Sequence, residues 1–237
     1  MQLVFIRHGD PDYDIDGLTD IGKMQAKALA EYLKNEKFDA VYASPLGRAL
    51  LTAKVCFDDK DITVLDWLRE FAHDVTLLNG AKQLSWDFMP SYFCGRGEFY
   101  DYNKYLDCAE MKSGDIKKFY AEVIRGFDGI LAENGYVREN RYYRAENSNK
   151  KRIVFFCHFG VMSVIMSHIM NVPHVVIAQH FCASPSSITT FATEERENGI
   201  AQLRCLSYGA TPHLDVKNIK PSFAARFCET FDSDERH

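Results

Sequence analysis

Two histidines carry the chain's clearest chemical potential, each standing at the end of an apolar run. Arg7-His8-Gly9 follows Leu3-Val4-Phe5-Ile6, and His158-Phe159-Gly160 follows Ile153-Val154-Phe155-Phe156-Cys157. An imidazole offers a ring nitrogen that can attack phosphorus, and a guanidinium offers a planar fork of donors matched to phosphate oxygens. Arg7 beside His8 therefore suits a phosphoryl group, and His158, ahead of the apolar stretch Val161 to Met170, can add a donor to the same anion. Arg48 falls in the first turn or so of a helix after Ser44-Pro45. A cation there opposes the helix dipole, which hints at an anion nearby. Glu70 follows a third strand, where lost hydration and an adjacent phosphate would keep its carboxyl group protonated for work as a general acid. Its neighbour Arg69 is a competing partner that would hold it ionised. One Arg-His-Gly alone could be an ordinary polar strand end; its pairing with a second strand-end histidine, in His158-Phe159-Gly160, favours a site.

The elements that must position these groups are legible around them. Short apolar runs without polar alternation read as strands buried on both faces of a parallel sheet, and their last residues then lie at the carboxyl edge, where open α/β folds bind ligands. Gly9 lets the chain turn sharply there. The run Asp10 to Gly17 reads as a loop whose acidic residues are solvated surface and limit access for highly charged substrates. Thr19 then caps a helix, with Asp20 in its first turn and Ile21, Met24, Ala28 and Leu33 at helical spacing. Ala40-Val41-Tyr42-Ala43 and Ile62-Thr63-Val64-Leu65 are two further strands.

Residues 72–151 change character. Trp86, Phe88, Tyr92, Phe93, Phe99, Tyr100, Tyr102 and Tyr105 concentrate there, and an amphipathic helix runs from Ser113-Gly114-Asp115 to Asn134-Gly135. The segment reads as a helical, aromatic-rich insertion or cap over the carboxyl edge, with Tyr92, Arg96, Tyr100 and Tyr102 able to line an entrance. The polar run from Arg138 to Lys151 reads as an exposed, mobile connection. Two late strands, Ser186 to Phe191 and Ala201 to Leu206, form a hairpin around Glu197-Asn198-Gly199. Residues 216–237 are a C-terminal tail without assignment, disordered over 232–237. The whole predicts a three-layer α/β/α fold around a mostly parallel sheet, with residues 1–237 as a single domain.

Composition sets the outer bounds. The chain has 237 residues, 46% of them hydrophobic and 26% charged, enough for a substantial core. A net charge of −5 argues against a general nucleic-acid or membrane-surface role, so a phosphate site must be a local positive pocket. Seven cysteines form no CxxC pair or metal-finger spacing, and several sit inside apolar runs, as reduced packing residues of a cytoplasmic protein would. No apolar stretch reaches membrane-spanning length.

Several motifs together resemble one family. Arg7-His8-Gly9, Leu18-Thr19 with Gly22 and Gln25-Ala26, Ser44-Pro45-Leu46-Gly47-Arg48-Ala49 with Thr52-Ala53, Glu70, His158-Phe159-Gly160 and Pro212-His213-Leu214 are similar in order and spacing to the histidine phosphatase superfamily, also called phosphoglycerate mutase-like. They match the branch with a mid-chain glutamate, over residues 1–71 and 152–215. The resemblance implies that His8 is the nucleophile, forming a phosphohistidine, with its other ring nitrogen oriented by the carbonyl of Gly9. It implies that Arg7, Arg48 and His158 hold the phosphoryl oxygens, and that Glu70 protonates the leaving alcohol and then helps activate water. Neither a metal nor another cofactor is implied. The expected partner is a small-molecule phosphate ester, with neither nucleic acid nor membrane, and an exposed sheet edge could pair two copies as a homodimer. Asp10-Pro11 stands where the family often has Glu-Thr, removing a hydroxyl near the phosphate, and Phe159 replaces a small residue, narrowing the pocket. A phosphoglycerate-type mutase and a non-catalytic phospho-ligand binding module are the rival readings.

Overall fold

The computed structural model describes residues 1–222 and 230–232; the tail reading for 223–229 and 233–237 lies outside the described residues. Eight strands make one sheet: β1 (Gln2–Arg7), β2 (Ala40–Ala43), β3 (Ile62–Val64), β4 (Tyr136–Glu139), β5 (Tyr142–Ala145), β6 (Arg152–Cys157), β7 (Ile188–Glu197) and β8 (Ile200–Ala210). Their order across the sheet is β3-β2-β6-β1-β7-β8-β5-β4. The four strands β3, β2, β6 and β1 run parallel, and the other half of the sheet is antiparallel.

Alternation along β1 divides its apolar residues between two cores. Val4 and Ile6 join Val41, Val154 and Phe156 under α1 (Asp20–Leu33) and α2 (Gly47–Cys56). Leu3 and Phe5 face the other way, toward α3 (Ile116–Glu133) and α4 (Phe159–Met170). The three layers are thus written into a run with no polar alternation. On that second face Phe5 stacks on Phe155 at 5.0 Å, and Phe155 on Tyr42 at 5.3 Å. Phe155 is fully buried, and truncating it to alanine would cost about 3–5 kcal/mol. Cys157 ends β6 as a fully buried packing residue.

Three local expectations are modified. Helix α1 starts at the Thr19 cap, whose hydroxyl accepts from the Gly22 amide, but it buries Gly22, Gln25, Ala26, Ala28, Leu29 and Leu33. Ile21 and Met24 are exposed. The helix lies so close to the first loop that a Cβ on Gly22 would stand 2.2 Å from the carbonyl oxygen of Asp10, so small residues face inward and the bulky pair is turned out.

The polar run after Arg138 is not a simple connection. Asn140, at φ 52°, makes a tight turn, and β4 and β5 pair around it to extend the sheet. Tyr136 and Tyr143 are buried by that arrangement. The segment 72–151 is therefore divided. Its helix α3 is part of a main layer and its hairpin part of the sheet, while Trp86, Phe93 and Phe99 pack beside the start of α4 and against α5 (His174–His180). No single helix among the described residues is long and apolar enough to cross a membrane.

Candidate active site

Register alone brings the first groups together. Ile6 pairs with Phe156, Arg7 with Cys157, and Phe156 with Ala43, so one step further His8, His158 and Ser44 stand side by side at the carboxyl edge. The ladder continues through that step: the His8 amide donates to Cys157 O at 3.1 Å and the Ser44 amide to Phe156 O at 2.9 Å. The two imidazoles lie 5.0 Å apart, centroid to centroid, inclined by 54°. Both are buried.

His8 is held by backbone. Its Nδ1 lies 2.7 Å from Gly9 O, and a carbonyl can only accept, so Nδ1 carries the proton and Nε2 presents a lone pair. The Gly9 amide donates to Thr52 Oγ1 at 3.0 Å, and Thr52 donates in turn to Arg48 O at 2.8 Å, tying the turn after β1 to α2. From the other side Ser186, at φ 63°, donates its amide to His8 O at 2.8 Å. Ser186 Oγ is 3.0 Å from Nε2 of buried His213, which gives the late Pro212-His213-Leu214 a structural role in α6 (Pro212–Lys217). Burial, then the positive charge of Arg7, lowers the His8 pKa to about 3, against the opposing bond to Gly9. The ring is neutral across the physiological range.

The guanidiniums are fixed by acceptors away from their own Nε atoms. Arg7 Nη1 donates to Ala183 O at 2.5 Å, and the group lies 5.8 Å from the centre of the Phe159 ring. Arg48 Nη1 donates to Asp16 Oδ1 at 2.6 Å, and the Gly47 amide donates to Asp16 Oδ2 at 2.6 Å. The acidic loop is thus only partly solvated surface. Asp14 is exposed, but Asp16 binds the start of α2 and Asp10 accepts from Thr19 Oγ1 at 2.6 Å. Among the proposed phosphate-binding groups of this site, three buried nitrogens have no hydrogen-bond partner: Arg7 Nε, Arg48 Nε and His158 Nδ1.

Glu70 lies on the insertion side, at the N-terminus of α4. Its Oε1 accepts the amides of Phe71 at 2.8 Å and Val161 at 3.2 Å. Lost hydration raises its pKa, opposed by Arg7 and by those two amides. Arg69 points elsewhere, 3.5 Å from Asp66 on the surface. Gly160 makes room for the acid, since a Cβ there would stand 2.6 Å from Glu70 Oε1 and 2.8 Å from Trp86 Nε1. Of the suggested entrance residues, Tyr92 donates to Glu110 at 2.6 Å and Arg96 pairs with it at 2.9 Å, so both serve a buried carboxylate instead. Tyr102 meets Tyr120 at 3.4 Å, and Tyr100 is exposed.

Sequence reasoning named Arg7, His8, Arg48, Glu70 and His158, but gave no role to Ser44, Asp16 or Trp86. Ser44 carried a usable signal, being the first residue past a strand next in register to β6. Among the described residues, no group of three or more His, Cys, Asp or Glu side chains is placed to hold a metal ion.

Residues 3–77 match the family described as the histidine phosphatase superfamily (branch 1). Phosphoserine phosphatase 1 of Hydrogenobacter thermophilus is 34% identical over 74 residues, a match covering 27% of this chain and 35% of that protein, so the likeness spans about a third of the relative. Among solved structures, a phosphoserine phosphatase mutant from Entamoeba histolytica in complex with phosphoserine superposes with a TM-score of 0.57 at 22% identity, covering 90% of this chain and 98% of that one. A mycobacterial glucosyl-3-phosphoglycerate phosphatase gives 0.56 at 18% identity, with 89% and 99% covered. The α-ribazole phosphatase of Shigella flexneri gives 0.54 at 22%, with 89% and 98% covered. At such identities the structural likeness is one of fold. The family match covers β1, α1, β2 and α2, about a third of the chain, and the likeness in fold extends over about nine-tenths of it: over residues 3–77 the chain is similar to the histidine phosphatase superfamily, and as a whole it has the fold of these phosphatases.

Proposed function

We propose that this chain is a phosphomonoester hydrolase acting on a small phosphorylated metabolite through a covalent phosphohistidine on His8. One observation carries the reading: His8 and His158 stand 5.0 Å apart within reach of the charges of Arg7 and Arg48, with Arg7 Nε, Arg48 Nε and His158 Nδ1 buried and without partners. Buried donors of this kind are stable when an acceptor-rich anion completes them.

The roles follow from the atoms. The Nε2 lone pair of His8 attacks phosphorus, and the bond from phosphorus to the ester oxygen breaks. Glu70, whose pKa is raised by lost hydration, gives its proton to the leaving alkoxide. Arg7, Arg48 and His158 stabilise the charge on the transferring group. The Glu70 carboxylate then takes a proton from water as that water attacks the phosphohistidine. Inorganic phosphate leaves and the neutral imidazole returns. The aromatic segment around Trp86 and Phe93, within a single domain, would act as the cap that meets the rest of the substrate.

The test is a panel of phosphorylated metabolites assayed with wild type and His8→Ala. Turnover of at least one ester, lost in the variant, supports the reading. Turnover retained by His8→Ala, or efficient isomerisation of 3-phosphoglycerate with a bisphosphate primer, replaces it.

A further inference from the structure

We propose that Ser44 sets the tautomer of His158, so that Nδ1 carries the ring proton and donates a hydrogen bond to the bound phosphoryl group. The inference rests on the reading of this cleft as a phosphoryl-transfer site.

Ser44 is fully buried, and its Oγ lies 2.8 Å from His158 Nε2. The same oxygen already accepts the Leu46 amide at 3.2 Å. Its one proton therefore needs an acceptor, and His158 Nε2 is the partner in reach. Were Nε2 protonated, two hydrogens would face each other or the hydroxyl proton would be stranded, and both arrangements are costly at a fully buried hydroxyl. With the proton on Nδ1, the Ser44 hydroxyl donates to Nε2, and every group in the chain from Leu46 to His158 is satisfied up to Nδ1 itself. That atom is buried and has no partner in the protein.

The ring is neutral, because burial, then His8, Arg48 and Arg7, hold its pKa well below the usual value. It therefore has one proton to place. A bare lone pair at Nδ1 would repel an anionic oxygen, whereas an N–H attracts it. Partner chemistry thus separates the two histidines. Gly9 O, which only accepts, leaves His8 with a free lone pair at Nε2, while the Ser44 hydroxyl, which must donate, leaves His158 with a free N–H at Nδ1. The same tautomer serves as nucleophile in one ring and as donor in the other.

Imidazole nitrogen NMR on the full-length protein tests this, with the His158 signals assigned by their loss in His158→Gln. In wild type, Nδ1 should show the shift of a protonated nitrogen and Nε2 that of an unprotonated one. Added inorganic phosphate should move the Nδ1 proton downfield. Ser44→Ala should give a mixture of tautomers and lower kcat/KM by roughly 10- to 100-fold, as loss of a tautomer-fixing partner does elsewhere. Ser44→Thr, which keeps the hydroxyl, should restore the wild-type pattern. A protonated Nε2 in wild type, a Nδ1 signal indifferent to phosphate, or an unchanged pattern in Ser44→Ala overturns the inference. The outcome is separable from that of the proposed hydrolase, which stands or falls on turnover and on the label carried by His8.

Discussion

Asp16 grips the start of α2 with both carboxylate oxygens, one on Arg48 Nη1 and one on the Gly47 amide, each at 2.6 Å. The pair is charge-assisted, and Arg48 is nearly buried while Asp16 is partly open to solvent. Gly47 is required for this fit, because a Cβ there would meet Asp16 O at 2.1 Å. Asp16 therefore orients the guanidinium while offsetting part of its charge. Asp16→Asn should tighten inhibition by inorganic phosphate several-fold, as one negative charge leaves, and should lower kcat as Arg48 loses its fixed pose. Steady-state inhibition kinetics check this; an unchanged inhibition constant contradicts it.

Glu70 is expected to matter in proportion to the leaving group. Glu70→Gln should lower kcat by about 10²- to 10⁴-fold for an alkyl phosphate, and far less for p-nitrophenyl phosphate, whose leaving group needs no proton. In wild type the alkyl-ester rate should fall as pH rises through the raised pKa of this carboxyl group. The His8 pKa of about 3 removes any loss of nucleophile on the acid side above about pH 4. An equal loss for both ester types in the variant would assign the proton to another group.

Gly160→Ala should keep the fold and lose activity. The added methyl would stand 2.6 Å from the acid's oxygen and 2.8 Å from the Trp86 indole nitrogen, while Trp86 is itself tied to Phe71 O at 2.7 Å. Glu70 must then move from its two amides. Near-normal circular dichroism with a much reduced kcat is the expected result, and full activity would remove Glu70 from the reacting group.

The histidines make a pH prediction for stability. Burial lowers the pKa of His8 to about 3, of His174 to about 3 and of His213 to about 4, and His158 moves in the same direction. Each is neutral in the folded state and takes up a proton on unfolding below about pH 6.5. The unfolded state thus binds more protons, and stability falls as pH drops from that value toward the folded pKa values. His8, His174 and His213 each contribute roughly 2 kcal/mol less at about pH 5 than at about pH 7, and His158 acts in the same direction. Glu70 works the other way, its raised pKa favouring the folded state as pH falls through the carboxylate range, but it is one group against four. Urea melts at the two pH values should differ by several kcal/mol; equal midpoints would mean that these rings are not buried neutral.

Much of the candidate site was readable because parallel strands put their edge residues at fixed positions: the residue after an apolar run is the residue at the edge. Arg7, His8 and His158 follow from that rule, and Arg48 from its place near a helix start. Ser44 and Asp16 escaped because their work depends on which strand neighbours which, and on a loop folding back on α2. The hairpin of β4 and β5 was hidden by Arg138, Glu139 and Arg144, whose charged ends reach solvent or nearby partners while Tyr136 and Tyr143 are buried. Its signal was the Asn140-Arg141 pair between two aromatic-bearing runs. In α1 Ala28 and Leu33 face inward as their spacing predicts, whereas Ile21 and Met24 near its start are exposed, because close packing there against the Asp10 backbone puts Gly22 on the inner face.

The most direct measurement is acid-quench-free trapping of the enzyme with a radiolabelled phosphate ester during turnover. The account predicts a label that survives base, is lost in acid, maps to the peptide bearing His8 and is absent from His8→Ala. An acid-stable label, or a label on any other residue, would contradict it.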